Sequence, residues 1–213
     1  MHTRPGIQRQ RPGSGTRPAN TAPAAAFALV AGLHPRIRSG ALSLRGLVGL
    51  ALAGLAGFGA YQAQKYPMIN DITTTPEAAP QFRKIALLPE HKDRDLSYPA
   101  SFAALQTKAY PDLAPLSLAA DPARALACIR ETASRRTGWT IVSVDPAAGV
   151  VEAVAITPLM RFADDVVIEV RAASGKPGSV VHMRSRSRLG KGDFGANAQR
   201  IREFLAGVRA GCS

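Results

Sequence analysis

The sequence predicts an α+β fold: a β-α-β-β-β-β-α antiparallel sheet with two helices on one face, preceded by an extended arm and an N-terminal transmembrane segment. Three observations carry this reading. Between residues 139 and 189, β-rich runs fall into two pairs, each joined by a short turn containing Gly and Pro. One segment before these runs and one after them place apolar residues at helical spacing. Ahead of everything lies a nearly uncharged stretch, residues 41–60, followed by a connector punctuated by prolines.

A chain of 213 residues allows one domain, or one domain plus a long extra segment. Apolar residues make up 46% and charged residues 20%, which excludes a wholly disordered protein. The formal charge of +12 is uneven. Residues 1–45 hold seven Arg and no acid, whereas residues 46–213 hold 20 basic and 15 acidic side chains. The basic balance therefore describes a tail more than a domain. Two cysteines exclude a disulfide-dense scaffold and a multi-Cys zinc site.

In chain order, residues 1–40 read as a disordered basic leader, rich in Arg, Pro, Gly, Ser and Ala. A start assigned too far upstream fits the same stretch, with the true one near Val30. Residues 41–61 read as a transmembrane anchor or signal segment, Arg45 being the only charge. Twenty helical residues span about 30 Å, the thickness of a bilayer's hydrocarbon core. Five glycines weigh against a soluble helix, since each costs about 1 kcal/mol relative to Ala. Phe58 and Tyr61 stand where a cleavage site needs small residues, so an uncleaved anchor is favoured over a signal peptide. Arg36, Arg38 and Arg45 precede the segment and the first acids, Asp71 and Glu77, follow it. The positive-inside rule then leaves the N-terminus in the cytoplasm and exports the rest. Gly49, Ala53 and Gly57 form a small-residue stripe of the kind such segments carry anyway.

Residues 62–113 read as a Pro-rich extended arm, too apolar and aromatic for a pure linker, with a short helix over 101–108. Residues 114–213 form the α+β domain. Leu116–Leu118 is a short strand. Asp121 and Pro122 begin a helix as N-cap and first helical residue, Leu126, Ile129 and Ala133 give it an apolar face, and Gly138 ends it. Residues 139–144 and 150–157 form one hairpin, and residues 163–171 and 179–189 a second. Ile201, Phe204, Leu205 and Val208 mark a final helix with one buried face.

Alternation fixes the register of the second hairpin. Val166, Ile168 and Val170 face the helices opposite Ser185, Met183 and Val181, while Asp165 meets Arg186 and Glu169 meets His182 on the other side. That second face reads as a solvated charged surface. The sharper alternative makes Arg184, Arg186 and Arg188 a row for an anionic partner. The RSRSR run is a weak nucleic-acid signal, because acids lie opposite it and no aromatic platform accompanies it. Gly190–Gly195 joins a strand to a helix, where backbone N–H groups can hold an anion, without matching a P-loop or dinucleotide fingerprint. No metal-ligand spacing, nucleophile elbow or triad is present, and no cofactor is expected.

Several blocks resemble a known family. They are residues 66–74 (YPMINDITT), Pro80-Gln81-Phe82, residues 109–112 (AYPD), 161–166 (RFADDV), 184–190 (RSRSRLG) and 192–197 (GDFGAN). Together they resemble the domain of unknown function 1499 family over residues 66–208. The resemblance implies a membrane-associated domain that follows hydrophobic segments and implies no established activity. The acid that often follows the first block is Thr75 here.

The expected function is accordingly that of a membrane-anchored extracytoplasmic domain, a non-catalytic module for an anionic ligand, lipid head group or envelope protein, with no nucleic-acid partner. The rival is an envelope hydrolase or transferase using Asp164 or Asp165 with Arg161. The candidate ligand-binding residues are Arg161, Asp164, Asp165, Arg186, Ser187, Arg188, Lys191, Asp193 and Asn197, where strand ends meet the glycine loop. Asp164 has core-side parity and needs a hydrogen-bond partner, for which Ser187 or the loop N–H groups are at hand. Cys128 and Cys212, on or just past helices assigned to one sheet face, are a candidate disulfide in an oxidising compartment.

Overall fold

The structure, a computed structural model, describes residues 44–212. The basic leader over residues 1–40 and an internal start near Val30 lie outside the described residues. Helix α1 (Leu44–Lys65) has 22 residues, about 33 Å of helix. Its stretch Leu44–Tyr61 is long and apolar enough to cross a membrane. The chain divides into two compact units, one ending at Ala56 and the next beginning at Gly57. Everything from β1 onward belongs to the second.

That unit is α+β. Strands β1 (Asp71–Thr73), β2 (Leu116–Leu118), β3 (Trp139–Asp145), β4 (Val150–Ile156), β5 (Ala163–Ala172) and β6 (Ser179–Ser187) make one antiparallel sheet. The order is β1-β6-β5-β4-β3, and β2 shares the outer edge of β6 with β1. β1 pairs with residues 184–186 and β2 with residues 179–181, so two three-residue strands cover one edge end to end. Between β5 and β6 the register is the alternating one, with Asp164 opposite Ser187, Ile168 opposite Met183 and Val170 opposite Val181.

Helices α3 (Pro122–Ser134) and α4 (Ala196–Gly211) cover one face, and helix α2 (Ala100–Ala109) precedes β2. The Asp121 carboxylate accepts the N–H groups of Ala123 and Arg124, with Pro122 in the first turn, so α3 starts where its sequence provides a cap. Ile129 and Ala133 of α3 and Ile201, Phe204 and Val208 of α4 are buried against Val151, Val166, Ile168 and Met183 of the sheet. Phe204 also stacks on Trp139 at 5.1 Å between ring centres, and burying such a ring stabilises by about 2–3 kcal/mol. A disulfide joins Cys128 of α3 to Cys212 at the end of α4.

The opposite face corrects an expectation. It is not a solvated charged surface: the segment between β1 and α2 lies across it. Phe82, Ile85 and Leu96 from that segment form a second small core with Val150 and Val167 of the sheet. The segment is also tied down by Glu152, a buried β4 carboxylate that accepts the N–H groups of Arg83 at 2.6 Å and Lys84 at 2.7 Å. A charge on this face is tolerated because the covering segment supplies its hydrogen bonds.

Candidate functional site

The nine candidate residues fall at one end of the sheet, and the sheet splits them. On the helix face, Asp164, Ser187 and Asn197 join Ser185 and Arg200 in a buried polar network. The Ser185 hydroxyl donates to Asn197 Oδ1 at 2.7 Å, and Asn197 Nδ2 donates to Ser187 Oγ at 2.9 Å and to the Asn70 carbonyl at 3.2 Å. Arg200 of α4 reaches across to Asp164 Oδ2 and also donates to Ser185 Oγ. Asp164 thus finds its partner in an arginine of the last helix, not in Ser187 or the loop N–H groups. Its other oxygen, Oδ1, has no hydrogen-bond partner among the described residues.

On the covered face the arginines alternate with their acids. Arg184 is fully buried and grips Asp71 with two bonds of 2.8 Å. Its remaining donors reach the carbonyls of Pro80 and Leu96, and its guanidinium lies over the rings of Phe82 and Tyr98. Arg186 stands 3.7 Å from Asp71 and donates to the Asp95 carbonyl. Arg188 holds Asp165 Oδ1 at 2.8–2.9 Å, and His91 Nε2 lies 2.8 Å from Asp165 Oδ2. The expected cross-strand partners are neighbours in register, but their side chains bond elsewhere. Glu169 pairs with Arg171, and His182 Nδ1 meets the Thr75 hydroxyl at 2.7 Å. An anion-binding row of Arg184, Arg186 and Arg188 is therefore occupied by the protein's own carboxylates and carbonyls.

Burial sets the titration of these groups. It pushes Asp71 and Asp165 above the usual carboxylate range, against the pull of Arg184 and Arg188 respectively. It also holds the imidazoles of His91 and His182 below theirs.

The glycine loop is arranged by Asp193. Its carboxylate accepts the N–H groups of Gly195 at 2.9 Å and Asn197 at 2.8 Å, capping α4. Burial raises Asp193 while those two hydrogen bonds lower it. Two of the N–H groups at this helix entry are thus already engaged by the protein's own carboxylate. Gly195 has φ +82°, and a Cβ there would sit 2.6 Å from the Tyr66 ring, so this position requires glycine on both counts. Arg161 and Lys191 differ from the other candidates. Both are exposed on loops, at 157–162 and 188–195, and neither side chain has an ion-pair partner among the described residues.

Asp71, His91, Glu152 and Arg200 are the participants that sequence reasoning missed. Asp71 lies within the 66–74 block, which was a usable signal. Arg200 follows Asn197 by one helical turn, which was also visible. Nothing local marks His91 or Glu152, whose partners are far away in sequence. Two grooves, of about 400 and 320 Å³, lie elsewhere, beside α3 and the β3–β4 turn and under residues 83–87. Among the described residues, no three His, Cys, Asp or Glu side chains gather as a metal site.

Fold and site together define an α+β domain with buried, internally matched charge, joined to a helix long and apolar enough to cross a membrane. The family model described as Protein of unknown function (DUF1499) matches residues 71–208, well over half of the sequence, and the chain belongs to that family. Comparison with the curated proteins and with the solved structures finds no match.

Proposed function

We propose that this protein is a membrane-anchored, non-catalytic binding module held outside the cytoplasm, and that its loops at the β5-start end of the sheet take an anionic group. One observation carries the reading. Every carboxylate among the candidates is engaged internally, whereas the two loop cations, Arg161 and Lys191, remain exposed without an ion-pair partner among the described residues. General acid–base work needs a carboxyl that reaches substrate. Asp164 and Asp165 are 2% and 0% exposed and face arginines, and Arg161 lies on a loop outside both networks, so the hydrolase or transferase reading has less support. The Cys128–Cys212 bridge supports an oxidising compartment.

The test is a titration of the full chain, in neutral detergent, with glycerol phosphate. Arg161→Ala with Lys191→Ala should weaken binding at least tenfold and leave the melting temperature unchanged. Asp164→Ala should lower the melting temperature, because it strands Arg200. Absence of binding by the wild-type chain, or binding unaffected by the loop double variant, refutes the anion site.

A further inference from the structure

Eight large apolar side chains outside α1 are exposed among the described residues, and six of them are Met68, Leu159, Met160, Phe162, Leu189 and Phe194, each 47% to 89% accessible. The topology gathers these six at one end of the sheet. Ile156 pairs with Ala163, which brackets the 157–162 loop, and Arg188 N–H donates to the Ala163 carbonyl, setting the 188–195 loop beside it. Asn70 donates to the Gly190 carbonyl, and a Cβ at Gly192 would lie 3.2 Å from Met68 Sδ, which brings the segment before β1 against the same loop. None of the six belongs to the β3–β4 or β5–β6 hairpin turn at the opposite end.

Isolated exposed apolar residues need no explanation, but six on adjoining loops form a surface that water does not favour. The charges on the two loops are Arg161, Arg188, Lys191 and Asp193, and Asp193 is spent on backbone N–H groups. An apolar cluster flanked by cations is the composition of a surface that enters the headgroup region of an anionic bilayer. Chain length supplies the remaining argument. Met68 follows Tyr61, the last residue of the apolar span, by seven residues, at most about 25 Å of chain. If α1 spans a membrane, this cluster stays within reach of that membrane's surface.

We infer that this end of the domain docks on the bilayer that α1 enters, with Leu159, Met160, Phe162, Leu189 and Phe194 seated among the lipid headgroups and Arg161 and Lys191 against anionic ones. This deepens the proposed function, since it rests on α1 as an anchor and names the anionic group as lipid.

The test uses the full chain, disulfide intact, in vesicles carrying nitroxide-labelled lipid. A fluorophore is placed on a single added thiol at Leu52, Leu159, Phe194 or Lys176, by Leu52→Cys, Leu159→Cys, Phe194→Cys or Lys176→Cys. In phosphatidylglycerol vesicles the probes at 52, 159 and 194 should be quenched, with the probe at 176, on the β5–β6 turn, quenched at least threefold less. A quenched probe at 52 with 159 and 194 no more quenched than 176 overturns the docking and leaves the anchor standing. An unquenched probe at 52 overturns the anchor and the docking with it. Quenching at 159 and 194 that is equal in phosphatidylcholine, or unchanged by Arg161→Ala with Lys191→Ala, overturns the role given to the two cations.

Discussion

Arg184 shows what a single buried charge does in this fold. Its five-donor fork is spent on Asp71 and on two carbonyls of the covering segment, so it nails β6 to β1 and to residues 80–96 at once. Removing one partner of such a pair leaves the other charge buried and unmatched, at a cost of about 3–5 kcal/mol. Arg184→Met should therefore lower unfolding free energy by about that amount in urea titrations. Adding Asp71→Asn should recover part of it, because the stranded carboxylate is gone. His91 makes a second prediction at this scale. Its folded imidazole binds a proton less readily than an unfolded one, so the unfolded state takes up more protons as pH falls below about 6.5. Stability from His91 is full above that pH and is lost toward acid. Asp71, Asp165 and Asp193 act in the opposite sense, their raised values adding stability on acidification. The comparison with His91→Gln isolates the imidazole: from pH 7.5 to 5.5 the wild-type melting temperature should fall further than the variant's. Parallel curves would remove His91 from the account.

At the scale of elements, legibility followed locality. β5 and β6 could be paired residue by residue because their alternation fixes which face is buried and the short turn between them limits the register. α3 could be placed from Asp121 and Pro122, whose capping chemistry is written in adjacent residues. β1 could not. It is three residues long in a Pro-rich stretch, and what makes it a strand is pairing with Arg184–Arg186, more than a hundred residues away, and Gln106. Gln106 accepts the Thr73 N–H and donates to the Thr73 carbonyl, standing in for a missing neighbouring strand. The partners of Asp164 and Asp165 were misread for the same reason. Parity put Asp164 on the core side, but its arginine comes from α4 and Asp165's histidine from the covering segment. The disulfide acts between elements as well, closing α3 onto the end of α4 across 84 residues. Replacing Cys128 and Cys212 by Ser should cost about 2–5 kcal/mol in calorimetry or denaturant unfolding. A loss below 0.5 kcal/mol would mean that packing of α3 on α4 already fixes that geometry without the bridge.

At the scale of the whole molecule, an asymmetric charge distribution accompanies an asymmetric surface. Seven arginines without an acid occupy residues 1–45, and the acids begin only after the apolar helix. Under the positive-inside rule, this arrangement supports our proposal that the N-terminal side stays in the cytoplasm and the α+β domain is exported. The disulfide supports the proposed export, and the exposed apolar loops support the proposed docking close to a membrane surface. The account depends most on that placement. A pair of reporters fused after Ser213 in living cells tests it directly, one active only in the exported compartment and the other only in the cytoplasm. The account predicts activity from the exported reporter and none from the cytoplasmic one. The reverse pattern would contradict it.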